Sequence, residues 1–159
     1  MPQIFLRPVV AANAAFLHRL MNEPTVLAVL HELPTSLSLW EKAIPEWDAD
    51  PDEENYMICL DKQPIGWIGV NGLVSKTAYI KMLVLLPEYR QQGIGSAALK
   101  QTLSQLQRRG YRRAVLYTDV GNLPAQRCYE KCGFAETERL IQQMSDGSSA
   151  DRFKMEVSL

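Results

Sequence analysis

The chain is 159 residues long, 47% hydrophobic and 22% charged, with 9 Gly, 9 Pro and a net charge of −1. That length suits one domain over residues 1–159, able to bury roughly 70% of its unfolded surface, and the composition argues against a disordered, fibrous or low-complexity chain. No apolar run reaches the ~18 residues that cross a bilayer, and no basic segment precedes an apolar one at the start, so no membrane partner and a cytoplasmic location are expected.

Ile4–Val9 reads as a short strand, and Ala12–Met21 has helical spacing with Phe16, Leu17, Leu20 and Met21 on one face. Pro24 and Pro34 then divide the chain into a helical piece around Thr25–Leu30 and another around Ser38–Trp47, the latter capped by Ser36 or Ser38. Glu46–Glu54 carries six carboxylates and no cation, so it is expected as a solvated loop. Tyr56–Leu60 and Ile65–Val70 form a hairpin across the turn-type linker Asp61–Pro64, and Asn71–Lys76 makes the next turn.

Thr77–Leu86 is apolar apart from Lys81, the pattern of a central strand buried on both faces, and Pro87 ends it. Beyond Gly93 and Gly95, the residues Ala97, Ala98, Leu99, Leu103 and Leu106 make a helical stripe that Gly110 stops, and Ala114–Thr118 is the next buried strand. Asn122 and Pro124 open a helix over Leu123–Cys132, closed by Gly133. Strands Ala135–Met144 and Arg152–Leu159, joined by a loop at Ser145–Ala150, complete a mixed α/β order.

Cys59, Cys128 and Cys132 are odd in number and lack paired CxxC spacing, so neither a disulfide framework nor a metal is expected. Charge is uneven. Residues 1–70 hold 4 Lys/Arg and 10 Asp/Glu, a net of −6, whereas residues 71–159 hold 13 and 8, a net of +5. The halves therefore suit partners of opposite charge. The basic half has no long Lys/Arg stripe interleaved with aromatics, so no nucleic acid is expected.

The most informative segment runs from Leu83 to Ser96, a buried strand passing through a Gly-rich turn into a helix. The first turn of a helix leaves N–H groups without partners and carries the positive end of the macrodipole, and glycine lets a phosphate come close. The turn lacks both the Gly-Lys-Ser/Thr ending of a nucleotide triphosphatase loop and the third glycine of a dinucleotide fold. A different phosphate ligand is required.

Arg90-Gln-Gln-Gly-Ile-Gly95, after a strand ending Leu85-Leu-Pro87, resembles the Arg/Gln-x-x-Gly-x-Gly/Ala signature of the GCN5-related N-acetyltransferase (GNAT) superfamily. Asn122-Leu-Pro-Ala125 followed by Tyr129-Glu-Lys-Cys-Gly-Phe134 is similar to that family's Asn-x-x-Ala-x-x-x-Tyr-x-x-x-Gly-Phe pattern. The likeness extends to the Arg7-Pro8 opening and the closing strand from Met155, and thins between residues 22 and 55.

The resemblance implies a mostly antiparallel mixed sheet of about six or seven strands with one splayed parallel pair, flanked by about four helices. It implies acetyl-CoA as co-substrate, with its pantetheine arm along Leu83, Val84 and Leu85 and its pyrophosphate on the main chain of Arg90, Gln91, Gln92, Gly93, Ile94, Gly95 and Ser96. The Leu85 amide would stabilise the oxyanion, Tyr129 would protonate the leaving thiolate, and Asn122 would contact the coenzyme while capping its helix. The positions at which two branches of the family carry a basic glutamate hold Tyr79 and Tyr117 here. The general base stays open among a water chain beside those tyrosines and Glu32, Glu53 or Glu54.

The expected activity is acetyl transfer from acetyl-CoA to a primary amine, cationic in view of the acidic first half: a protein N-terminus, a lysine or a small amine. Two rival readings are a non-catalytic acyl-CoA sensor and a transferase of longer acyl groups, whose cavity would lie beside Gly66, Trp67 and Met82. Monomer and homodimer are both compatible with the pattern, and Glu46–Glu54 is expected to border the amine entrance.

Overall fold

A computed structural model describes residues 3–159. Seven strands form one sheet in the order β1-β2-β3-β4-β5-β7-β6. They are β1 (Ile4–Pro8), β2 (Glu53–Leu60), β3 (Gln63–Asn71), β4 (Thr77–Leu85), β5 (Arg113–Asp119), β6 (Ala135–Gln143) and β7 (Ser149–Ser158). Every neighbouring pair is antiparallel except β4 and β5, which are parallel. The fold is therefore mixed α/β, with five α-helices: α1 (Ala14–Met21), α2 (Pro24–Leu30), α3 (Leu37–Ala49), α4 (Ile94–Arg108) and α5 (Leu123–Lys131).

Alternation along the strands supplies a core on each face of the sheet. On one side Ile58, Ile68, Ala78, Ile80, Ala114, Leu116 and Met155 meet α4 through Ile94, Ala98, Leu99 and Leu106. On the other side Met57, Cys59, Trp67 and Val84 meet α1 through Leu17 and Leu20, α2 through Val26, and α3 through Trp40 and Ile44. The core formed by α1 to α3 rests on β2, β3 and β4, and only the end of α2 reaches β5, where His31 meets Asp119.

Several boundaries differ from the sequence expectation, most of all in the acidic run. The helix expected to stop near Trp47 continues to Ala49 despite Pro45, and β2 starts already at Glu53, so only Asp50–Asp52 remains as a connection. The cause is Trp47, which stacks on Trp67 at 5.2 Å and meets Trp40 edge-on at 6.3 Å. An aromatic pair contributes about 0.5–1.5 kcal/mol beyond its area, more than the ~0.2–0.5 kcal/mol of a like-charge pair on a helix.

Of the carboxylates expected to face water, Glu46, Asp48 and Asp50 do so and the other three are engaged. Asp52 accepts from the Gly72 and Val74 amides at 3.2 and 2.9 Å, Glu53 pairs with Lys81, and Glu54 takes both Arg109 guanidinium nitrogens at 2.8 and 2.9 Å. Smaller corrections are that β7 begins at Ser149 rather than Arg152, and that β4 is half-buried at Tyr79, Lys81, Met82, Leu83 and Leu85 instead of enclosed on both faces.

Candidate active site

The half-burial of β4 has a geometric cause. Its pairing with β5 covers only Thr77↔Arg113, Ala78↔Ala114 and Tyr79↔Val115, after which the two strands separate. On the opposite edge β4 stays paired with β3, with one irregularity where Met82 opposes Gly69 and Ile80 opposes Val70, so that Lys81 is an extra residue, a bulge that turns the strand. Leu86 donates to the Ile65 carbonyl at 2.9 Å. Strand alternation then aims the N–H and C=O groups of Leu85 and Leu83 away from β3, into the fork.

Two further contacts fix the end of that strand. A Cβ on Gly66 would fall against Val84 O and 2.6 Å from Leu85 Cδ2, so only glycine lets β3 come this close to Leu85. Arg90 Nε donates to Leu85 O at 3.3 Å while Nη1 donates to Thr25 at 2.8 Å, with Glu23 3.7 Å from Nη2. The Arg90 side chain thus ties β4 to the start of α2, and the Leu85 carbonyl is occupied while its amide faces the fork.

The Gly-rich turn follows directly. Gln91 and Gly93 both take left-handed backbone angles, φ 59° and 80°. The first helical bond of α4 runs from Ala97 N to Gly93 O at 3.0 Å, so the amides of Ile94, Gly95 and Ser96 lie ahead of it with no carbonyl one turn back. No acidic side chain stands in that first turn. The Gln92 side chain folds back to Glu88 O at 2.8 Å, and Ser96 Oγ donates to Cys128 Sγ at 3.3 Å, so this segment offers main chain rather than side chains to an anion. The fit to a pyrophosphate is good on these grounds.

From the other side of the fork, Asn122 caps α5, its Oδ1 accepting from Ala125 N at 3.3 Å. Tyr129, one helical face further on, is half-buried against the α4 core and meets Phe134 edge-on at 6.2 Å. Burial raises its hydroxyl well above the ordinary tyrosine range, the Cys128 thiol adds to this, and the Arg152 cation opposes it. The group therefore keeps its proton at neutral pH. Cys132, packed against the carbonyl of Ser96 at 3.6 Å, is pushed up to about 11 by burial and stays a thiol.

Tyr79 and Tyr117 meet edge-on at 5.8 Å just where the strands part, so the two positions at which a carboxylate base could have stood are filled by one aromatic pair. Glu53 and Glu54 are held in ion pairs with Lys81 and Arg109. Trp40 and Trp47 belong to the tryptophan cluster with Trp67.

An open cleft of about 670 Å³ adjoins Asn122 and is lined by Ala28, Val29, His31, Asp119 and the start of β7. Sequence reasoning did not single out Asp119 or Arg152 as site residues, since they come from different elements and neither sits in a motif. The acidic run does not line this cleft. Lys81 was visible as the one charge in an apolar strand, but not its surroundings: its ammonium lies 4.8 and 5.6 Å from the Trp47 and Trp67 rings and pairs with Glu53. Burial lowers its pKa to about 8, while the Asp50 carboxylate favours the charged form. No cluster suited to a metal is present among the described residues, and no described helix is long and apolar enough to cross a membrane.

A sheet opened by a splayed parallel pair, with a helix start whose amides are free on one arm and a capped helix on the other, forms a cleft suited to an extended anionic ligand. The acetyltransferase (GNAT) family model matches residues 15–134, and the chain belongs to that family of acetyltransferases.

Among curated proteins, the N-alpha-acetyltransferase 30 of Schizosaccharomyces pombe is 37% identical over 75 residues, 47% of this chain and 50% of that protein. An uncharacterised N-acetyltransferase of Methanocaldococcus jannaschii is 26% identical over 62% of this chain and 47% of its own length. The chain thus spans half or less of these two relatives. Among solved structures, the spermidine N-acetyltransferase of Vibrio cholerae, in complex with CoA and spermine, superposes with a TM-score of 0.88 at 21% identity over 98% of this chain and 95% of its own. An aminoglycoside acetyltransferase in complex with coenzyme A reaches 0.82 at 19% identity over 98% and 95%.

Proposed function

We propose that the protein transfers an acetyl group from acetyl-CoA to a primary amine by direct attack within a ternary complex. The observation that carries this reading is the continuity of the fork with the phosphate turn: the outward amides of Leu83 and Leu85 run without a break into the free amides ahead of Ala97. Leu83, Val84 and Leu85 would line the pantetheine arm, and the main chain from Arg90 through Gln91, Gln92, Gly93, Ile94 and Gly95 to Ser96 would hold the pyrophosphate. Arg90 itself would act by fixing Leu85 O. The Leu85 N–H stabilises negative charge on the thioester oxygen, Asn122 meets the coenzyme from α5, and Tyr129 supplies the proton that the departing thiolate takes.

The tight contact of Gly66 with Leu85 supports a short acyl group over a long one, and the presence of a tyrosine hydroxyl at position 129, which a passive sensor could dispense with, supports an enzyme. A cationic acceptor is favoured because the cleft beside Asn122 contains Asp119 and Asp151; the relatives and neighbours named for protein N-termini, spermidine and aminoglycosides all act on amines. Three free cysteines suit a reducing compartment such as the cytoplasm. The test is thiol release from acetyl-CoA with peptides, polyamines and aminoglycosides as acceptors, products identified by mass. Thiol release with none of them, in a protein that binds acetyl-CoA, would leave the sensor reading in its place.

A further inference from the structure

Resting on the amine-acetyltransferase reading, one chemical requirement is unassigned: an alkylamine arrives as an ammonium and attacks only after losing a proton. With Tyr79 and Tyr117 at the family's carboxylate positions, that proton needs another destination. His31 stands in the cleft that also contains Asn122. It ends α2 in the left-handed region, φ 55°, an uncommon place for a residue with a side chain.

Its surroundings prepare it as a proton acceptor. Nε2 lies 2.7 Å from Asp119 Oδ2. An ionised carboxylate only accepts, so Nε2 carries the hydrogen and Nδ1 keeps its lone pair. Nδ1 lies 3.4 Å from Ser148 Oγ, whose own proton is directed at Asp146 Oδ1, 2.5 Å away. The serine therefore does not occupy the lone pair, and its oxygen can accept from Nδ1 once that atom is protonated. Asp146 N donates to His31 O at 3.1 Å, which holds the residue against the β6–β7 turn. The charged groups around the imidazole are Asp119 from β5, Asp146 from the turn, Asp151 from the start of β7, Arg152, whose Nε is 3.8 Å from Asp119 Oδ1, and Arg139, which donates to both Asp151 oxygens. Of the three carboxylates, Asp119 lies directly on the imidazole and Asp146 is linked to it through Ser148.

We propose that His31, oriented by Asp119, is the general base of the reaction. One ammonium proton passes to His31 Nδ1, directly or through one water. The free amine forms a C–N bond at the thioester carbonyl, and collapse of the adduct breaks the C–S bond. The thiolate takes the Tyr129 proton, the second amine proton restores Tyr129, and His31 releases the first to solvent. His31 and Asp119 come from opposite sides of the cleft, so this base exists only when α2 and β5 are packed as seen here.

The experiment compares two acceptors of similar length at neutral pH: spermidine, which is protonated there, and an alkyl hydrazide, which is not. His31→Gln should lose about tenfold or more in kcat with spermidine and remain within about twofold with the hydrazide, with acetyl-CoA affinity unchanged by calorimetry. Asp119→Asn should show the same selectivity, and the double variant should lose no more than His31→Gln. Added imidazole should restore spermidine turnover to His31→Ala, which keeps the idea testable if Gln disturbs folding. Equal losses with both acceptors would make His31 a brace between α2 and the β6–β7 turn and overturn the proposal, as would no loss with either. A wild type that releases thiol with no acceptor of the peptide, polyamine and aminoglycoside screen removes the acetyltransferase reading itself, and this proposal with it.

Discussion

Tyr129 and Gly93 carry the sharpest consequences for single residues. Tyr129 is buried enough to remain protonated and makes no hydrogen bond among the described residues, so Tyr129→Phe removes one proton and little packing. We expect kcat to fall about tenfold or more with acetyl-CoA affinity nearly unchanged; steady-state kinetics beside calorimetry separates the two, and an untouched kcat would pass the donor role to water. Gly93 takes φ 80° immediately ahead of three unpartnered amides. Gly93→Asp adds a strained side chain and a negative charge where the pyrophosphate would rest. Binding of acetyl-CoA should be lost while the circular dichroism spectrum stays native. A folded variant of unchanged affinity would sink the anion site.

Two elements owe their extent to contacts far away in sequence. The last turn of α3 survives Pro45 and its own carboxylates because Trp47 is stacked on Trp67 and meets Trp40. Trp47→Ala should destabilise the protein by about 2–4 kcal/mol in urea unfolding, somewhat under the range for a fully enclosed aromatic because Trp47 is only half-buried. The second element is β2, whose Glu54 is joined to the end of α4 through Arg109. The Arg109 hydrogen bonds hold the Glu54 carboxyl below its usual range. A depressed folded-state pKa adds stability above the unfolded value and loses it as pH falls through the folded value. Between those two values on the acid side, wild type should therefore lose thermal stability faster than Glu54→Gln, and parallel Tm-against-pH curves would dismiss the pair as a surface contact without consequence.

At the scale of the whole molecule, the sheet keeps α1 to α3 on one face and α4 with α5 on the other, and the fork is the one place where main chain from β4 opens between the two layers. The cleft with His31 and Asp119 lies at the carboxyl end of β5, beside the start of α5. The charge division of the chain therefore follows the two layers only in part. Asp52, Glu53 and Glu54 hold β2 to the Gly72 turn, to Lys81 and to α4, and the acidic groups beside the cleft with His31 come from β5 and the β6–β7 region.

The local pattern was enough to place the strand, turn and helix from Leu83 to Ser96, the cap at Asn122 and the tyrosine one face along, because an anion-binding helix start is built from consecutive residues whose backbone angles glycine permits. The order of strands and helices was legible for the same reason, since each element's periodicity lies within its own segment. The reach of α3, the engagement of the acidic run, the bulge at Lys81 and the meeting of His31 with Asp119 were decided by the tertiary structure alone. Each depends on partners in other elements, as far as 88 residues away for His31 and Asp119, and no period within a segment records which side chain of another element will be packed against it.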